Sequence, residues 1–106
     1  MRVEHMVDAA ETALRFVAGR GRADLDSDVM LRFAVVRAIE IVGEAAANVS
    51  DESRAETPEV PWARIVGMRN RIVHRYVDID NDIVWVTLGA ELPALLSLLR
   101  AALAMP

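Results

Sequence analysis

At 106 residues, with 54% apolar and 26% charged side chains and a net charge of −4, the chain has the make-up of one globular domain, which excludes disordered and fibrous architectures. Cysteine is absent, and with it disulfides, thiolate nucleophiles and cysteine-ligated metal clusters. The N-terminus is charged where a secretory leader is apolar, and no uninterrupted apolar run reaches about 18 residues, so the expected location is the cytoplasm, with no membrane contact.

From Val3 to Ala18 the apolar residues Val3, Met6, Val7, Ala10, Ala13, Leu14 and Val17 recur at helical spacing and predict a first amphipathic helix, closed by Gly19-Arg20-Gly21. Asp24 to Ser27 reads as a polar connection that supplies N-cap candidates in Asp26 and Ser27. The second helix, from Asp28 to about Asn48, is apolar on most of its circumference, which predicts burial between neighbours. Ser50 to Glu59 lacks an apolar period and contains Thr57-Pro58, so a loop or at most a helical turn is expected. A third helix begins near Pro61 and runs to about Arg75, with Trp62, Ile65, Val66, Met68, Ile72 and Val73 on its core face. Residues 78–82 are rich in capping side chains and open a last helix from Ile83 to about Leu103, in which Pro93 predicts a kink or break after Gly89.

Four long helices with short connections predict an all-α fold, an antiparallel up-and-down four-helix bundle, in one domain over residues 1–106. A domain this small and apolar leaves surplus surface to cover, so a homodimer is expected. Trp62, Trp85, Met6, Met30 and Met68 read as core packing, and His5 as exposed.

Charge is unevenly spread. Between Trp62 and Val77 the charged side chains are Arg64, Arg69, Arg71 and Arg75, a formal +4 inside an acidic protein. Gly-rich phosphate loops, His-Glu-x-x-His and Glu-x-x-His are all missing, and Glu40 and Glu44 lack a histidine at a spacing that would complete a metal site, so no cofactor is expected. Arg69-Asn70-Arg71-Ile72-Val73-His74-Arg75-Tyr76 concentrates the reactive groups. On a straight helix Asn70 and His74 share a face and Arg71 lies about 60° from His74, whereas Arg69 and His74 are about 140° apart. Either the arginine curls around, or the helix end unwinds, or two copies meet in one composite cleft. Imidazole can take a proton near neutral pH, and guanidinium can grip a phosphate and offset added negative charge. That pair suits RNA, whose own 2′-hydroxyl is the nucleophile, and Tyr76 could stack on a base.

The segment resembles the Arg-x4-His-x-Tyr signature of the HEPN superfamily, at Arg69, His74 and Tyr76, with Asn70 as the polar residue that follows the arginine. Residues 34–45, which contain Gly43-Glu44-Ala45, then Pro61-Trp62, Ile79-Asp80 and Ile83-Val84-Trp85, are similar to the HepT-like toxin branch. This resemblance implies a dimeric helical endoribonuclease with both motif copies in a shared groove. It also implies a partner, a small MNT-type nucleotidyltransferase antitoxin that moves AMP from ATP to the motif tyrosine, here Tyr76.

On this reading His74 is the general base or acid and Arg69 the phosphate clamp. Asn70 orients, Tyr76 contacts substrate and accepts the modification, and Arg71 and Arg75 extend the cationic groove. Glu44 either orients a motif arginine or forms an ion pair within the bundle. The competing expectation is a non-catalytic dimeric module that binds nucleotide, RNA or a nucleotidyltransferase through the same groove.

Overall fold

The computed structural model describes residues 2–72 and 79–104, and within them every regular element is helical. The elements are α1 (Arg2–Val17), α2 (Arg22–Ser27), α3 (Val29–Ala47), α4 (Asp51–Glu56), α5 (Trp62–Ile72) and α6 (Asn81–Val86), which continues through a π-helical turn (Thr87–Glu91) into α7 (Leu92–Ala104).

Helix α3 lies between α1 and α5, and α7 packs against α1. Small residues on α1, Ala9, Ala10 and Ala13, let it lie close to the α3 side chains Val35, Ile39, Val42 and Ala46, and all seven are buried. Ile65, Met68 and Ile72 close the core from α5; Leu92, Leu95, Leu96 and Leu99 close it from α7. Each large side chain so buried contributes about 1.5–3 kcal/mol, and this contiguous cluster holds the helices together.

The short helices depart from the expected connections. Residues 22–27 form α2 because the Asp24 carboxylate accepts from the Gly21 N–H at 2.7 Å and Leu25 is fully buried. Asp26 and Ser27 therefore belong to α2, and the N-cap of α3 is Asp28, which accepts from the Leu31 N–H at 3.0 Å. Asp51–Glu56 forms α4, six residues where a loop or at most a helical turn is expected; the Ser50 hydroxyl accepts from the Ser53 N–H at 3.1 Å. Arg54 of α4 donates to the Ala46 carbonyl at 2.8 Å, satisfying the end of α3, and its guanidinium lies 5.8 Å from the Trp62 ring centre.

Pro93 does not break the last helix. The π turn supplies a wider backbone bond, from the Leu92 N–H to the Thr87 carbonyl, just where the proline removes a donor and crowds the preceding turn. Buried Thr87 returns its hydroxyl to the Ile83 carbonyl at 2.8 Å. The run Asn81–Ala104 is long and apolar enough to cross a membrane by length and composition, yet Val84, Leu88 and four leucines of α7 are committed to the core.

Two burial expectations are corrected. Met30 is 83% exposed and Phe33 58%, so Met30 is not a core filler, and the first turns of α3 are not enclosed on all sides. Helix α2 covers only part of the helix end, through Leu25, and leaves Val29, Met30 and Phe33 outward.

Candidate functional site

Of the cationic segment, Arg64, Arg69 and Arg71 lie on α5. Ile65, Met68 and Ile72 anchor that helix against the core, leaving Arg69 half-buried and Asn70 and Arg71 exposed. The Asn70 carbonyl Oδ1 accepts from Arg69 Nε at 3.2 Å and from Nη2 at 3.0 Å. A fork of two bonds fixes the plane of the guanidinium as well as its position.

The stem of Arg69 runs directly over Gly43 of α3. A Cβ on Gly43 would lie 2.9 Å from Arg69 Cδ and 3.0 Å from Cγ, and nearer still to Arg69 Cβ. A glycine within a helix costs about 1 kcal/mol against alanine, and here the cost coincides with the closest approach of α3 to the arginine.

Arg71 has a carboxylate partner. Its Nη2 donates to Glu91 Oε1 at 2.9 Å and Oε2 at 3.0 Å, and Glu91 Oε2 lies 3.4 Å from the Thr87 hydroxyl. The π turn thus places a negative charge beside the cationic segment. Arg64 is exposed and lines a groove of about 270 Å³ between α5 and α7, with Pro61, Met68, Leu95 and Leu98, and Glu91 stands at its edge.

Glu44 meets Arg37 of its own helix, at 3.4 Å, and Arg37 also lies 3.7 Å from Glu40; these are partly solvated pairs along α3. Among the described residues no three histidine, aspartate or glutamate side chains form a cluster able to hold a metal ion. His5 is exposed, Trp62 is buried, and Trp85 packs half-buried against the core.

His74, Arg75 and Tyr76 lie outside the described residues, and so does Val73. Ile72 is buried, and Asp80 caps α6 by accepting from the Asp82 N–H at 2.9 Å and the Ile83 N–H at 3.3 Å. Helix α2 grips the same end: Arg22 Nε donates to Asp82 Oδ1 at 2.7 Å, and Asn81 Nδ2 to Asp26 Oδ1 at 2.9 Å. The Asn81 amide and the Arg22 guanidinium hold the Asp26 carboxyl below its usual range.

Composition and spacing single out Arg69, Asn70 and Arg71 but give no structural task to Gly43 or Glu91. The signal for Gly43 is its place inside a helical pattern, which often marks close backbone approach. Glu91 carries no local signal, because its pairing with Arg71 spans 20 residues.

The family described as Ribonuclease HepT-like matches residues 6–102 of the chain. Among similar proteins, Putative RNase TTE0752 of Caldanaerobacter subterraneus subsp. tengcongensis is 37% identical over 88% of this chain and 83% of its own length. Putative RNase MJ1380 of Methanocaldococcus jannaschii is 32% identical over 83% and 81%, respectively. Probable ribonuclease HepT of Thermococcus cleftensis is 32% identical over 88% and 84%. No solved structure matches the chain.

Proposed function

The chain belongs to the HepT-like ribonuclease family, and from that membership we propose that it is a metal-independent endoribonuclease whose chemistry is carried by Arg69 and His74. The observation that supports this most directly is Arg69, a half-buried residue whose guanidinium is oriented on Asn70, five residues before a histidine. His74 takes the proton from an RNA 2′-hydroxyl. The 2′-oxygen then bonds to the adjacent phosphorus, Arg69 offsets the charge on the phosphorane, and the bond to the 5′-oxygen breaks as that oxygen gains a proton. The products are a 2′,3′-cyclic phosphate and a 5′-hydroxyl. Asn70 keeps the clamp in plane, and Tyr76 and Arg75 contact the substrate.

The four longer helical stretches form an up-and-down bundle that dimerises, bringing two copies of the motif into one groove; a composite groove relieves the wide angle between Arg69 and His74 on a single straight helix. The protein acts in the cytoplasm as the toxin of a toxin–antitoxin pair. Its partner is an MNT-type nucleotidyltransferase that joins the Tyr76 oxygen to the α-phosphorus of ATP and releases pyrophosphate. An AMP group there adds bulk and negative charge where the RNA phosphate binds.

Labelled total RNA and tRNA incubated with the unmodified protein in EDTA test the reading, beside Arg69→Ala and His74→Ala proteins that remain folded. Cleavage by the parent and a loss of at least about 100-fold in each variant is expected. RNA that is bound and left intact by protein of unmodified mass contradicts it and favours a binding module.

A further inference from the structure

We infer that Gly43 is a positioning residue for Arg69: the missing side chain on α3 is the seat in which the arginine stem lies, and it sets where the guanidinium emerges. The three heavy atoms nearest to a Cβ at Gly43 all belong to Arg69, and they are Cβ, Cγ and Cδ. These are the root and middle of the side chain, which cannot swing aside as its tip could. A methyl group on Gly43 therefore forces α3 and α5 apart by on the order of 1 Å, or expels the stem, since carbon atoms rest about 3.5–4.0 Å apart.

Neighbouring packing leaves little room for a gentler adjustment. Val42 and Ala46 beside Gly43, and Ile65, Met68 and Ile72 on α5, are all buried. The guanidinium is held at its far end by Asn70 Oδ1, so Arg69 is fixed at two places, its stem by Gly43 and its plane by Asn70. Gly43 acts on RNA only through the arginine. The inference rests on the ribonuclease reading for its catalytic consequence, but the seat itself is a matter of packing.

The test pairs a spectroscopic readout with kinetics on Gly43→Ala. The Arg69 Nε–Hε resonance, identified by its absence from Arg69→Lys, reports the guanidinium's surroundings without any need for activity. In folded Gly43→Ala this resonance is expected to move while those of arginines remote from α5 stay in place. RNA cleavage is expected to fall about 100-fold in kcat, as for a misplacement of about 1 Å. KM is expected to change less than about 3-fold, since a transition-state contact is lost rather than general binding. An unmoved resonance overturns the inference, and so does a moved resonance with kcat unchanged. If Gly43→Ala does not fold, Gly43→Ala/Arg69→Gly decides: recovery of the fold supports the seat, and continued failure overturns it. If the parent protein leaves RNA uncut, the ribonuclease reading fails by itself and the resonance alone decides the placement of Arg69.

Discussion

At the scale of single residues, the cationic segment is less uniform than its charges imply. Arg69 is half-buried and held by its neighbour, Arg64 is exposed beside an apolar groove, and Arg71 is paired with Glu91. The carboxylate of Glu91 offsets one of the cations available to phosphates. Glu91→Gln, which keeps the shape and removes the charge, is expected to raise RNA affinity and to steepen its salt dependence by about 0.7 in the log–log slope, the amount of one phosphate contact to single-stranded RNA. Fluorescence titrations at several salt concentrations check this; an unchanged slope means Arg71 does not face RNA. The arginines and Asn70 were legible because charge and hydrogen-bonding capacity are properties of residue type. Gly43 and Glu91 were not, because a seat and an ion pair depend on which helices touch.

At the scale of elements, the long helices follow from apolar period, and the short ones from particular side chains. Periodicity locates α1, α3 and α5 to within one or two residues at every boundary the structure describes. It does not locate α2 or α4, whose formation depends on the burial of Leu25, the Asp24 and Ser50 caps, and the reach of Arg54 to Ala46. Pro93 signals a disturbance, but the choice among kink, break and π turn is made by the backbone around Thr87. Helix α6 begins at Asn81, seven residues after His74 in the sequence. Asp80→Ala removes its cap and is expected to cost about 1 kcal/mol, a fall of roughly 5 °C in Tm by calorimetry. A Tm unchanged within 1–2 °C, roughly the resolution set by that energy scale, contradicts the capping role.

For the whole molecule, one contiguous core fixes the all-helical fold, and acid sensitivity has an identifiable source. Asp26 is held below its ordinary value of 3.8 by Asn81 and then Arg22. Asp28 is held below the same value by the Leu31 N–H and then Arg20. A carboxyl with a lowered folded-state pKa contributes stability that is complete above the unfolded value and is lost as pH falls through the folded one. Melting temperature is therefore expected to drop below about pH 4, and Asp26→Asn/Asp28→Asn to flatten that drop while lowering Tm at neutral pH. An acid limb of unchanged steepness contradicts the assignment. That the fold is all-helical was readable from composition and period alone, whereas the exposed Met30 and Phe33 were not, because burial is decided by which neighbours reach a face.

The measurement that bears most directly on the ribonuclease account is the chemistry of the cut ends. RNA cleaved by the unmodified protein in EDTA, with the fragments mapped by mass, is expected to carry 2′,3′-cyclic phosphates and 5′-hydroxyls, the products of attack by the substrate's own 2′-oxygen. Fragments with 5′-phosphates and 3′-hydroxyls, or cleavage that stops when EDTA is added, would contradict the roles given to Arg69 and His74.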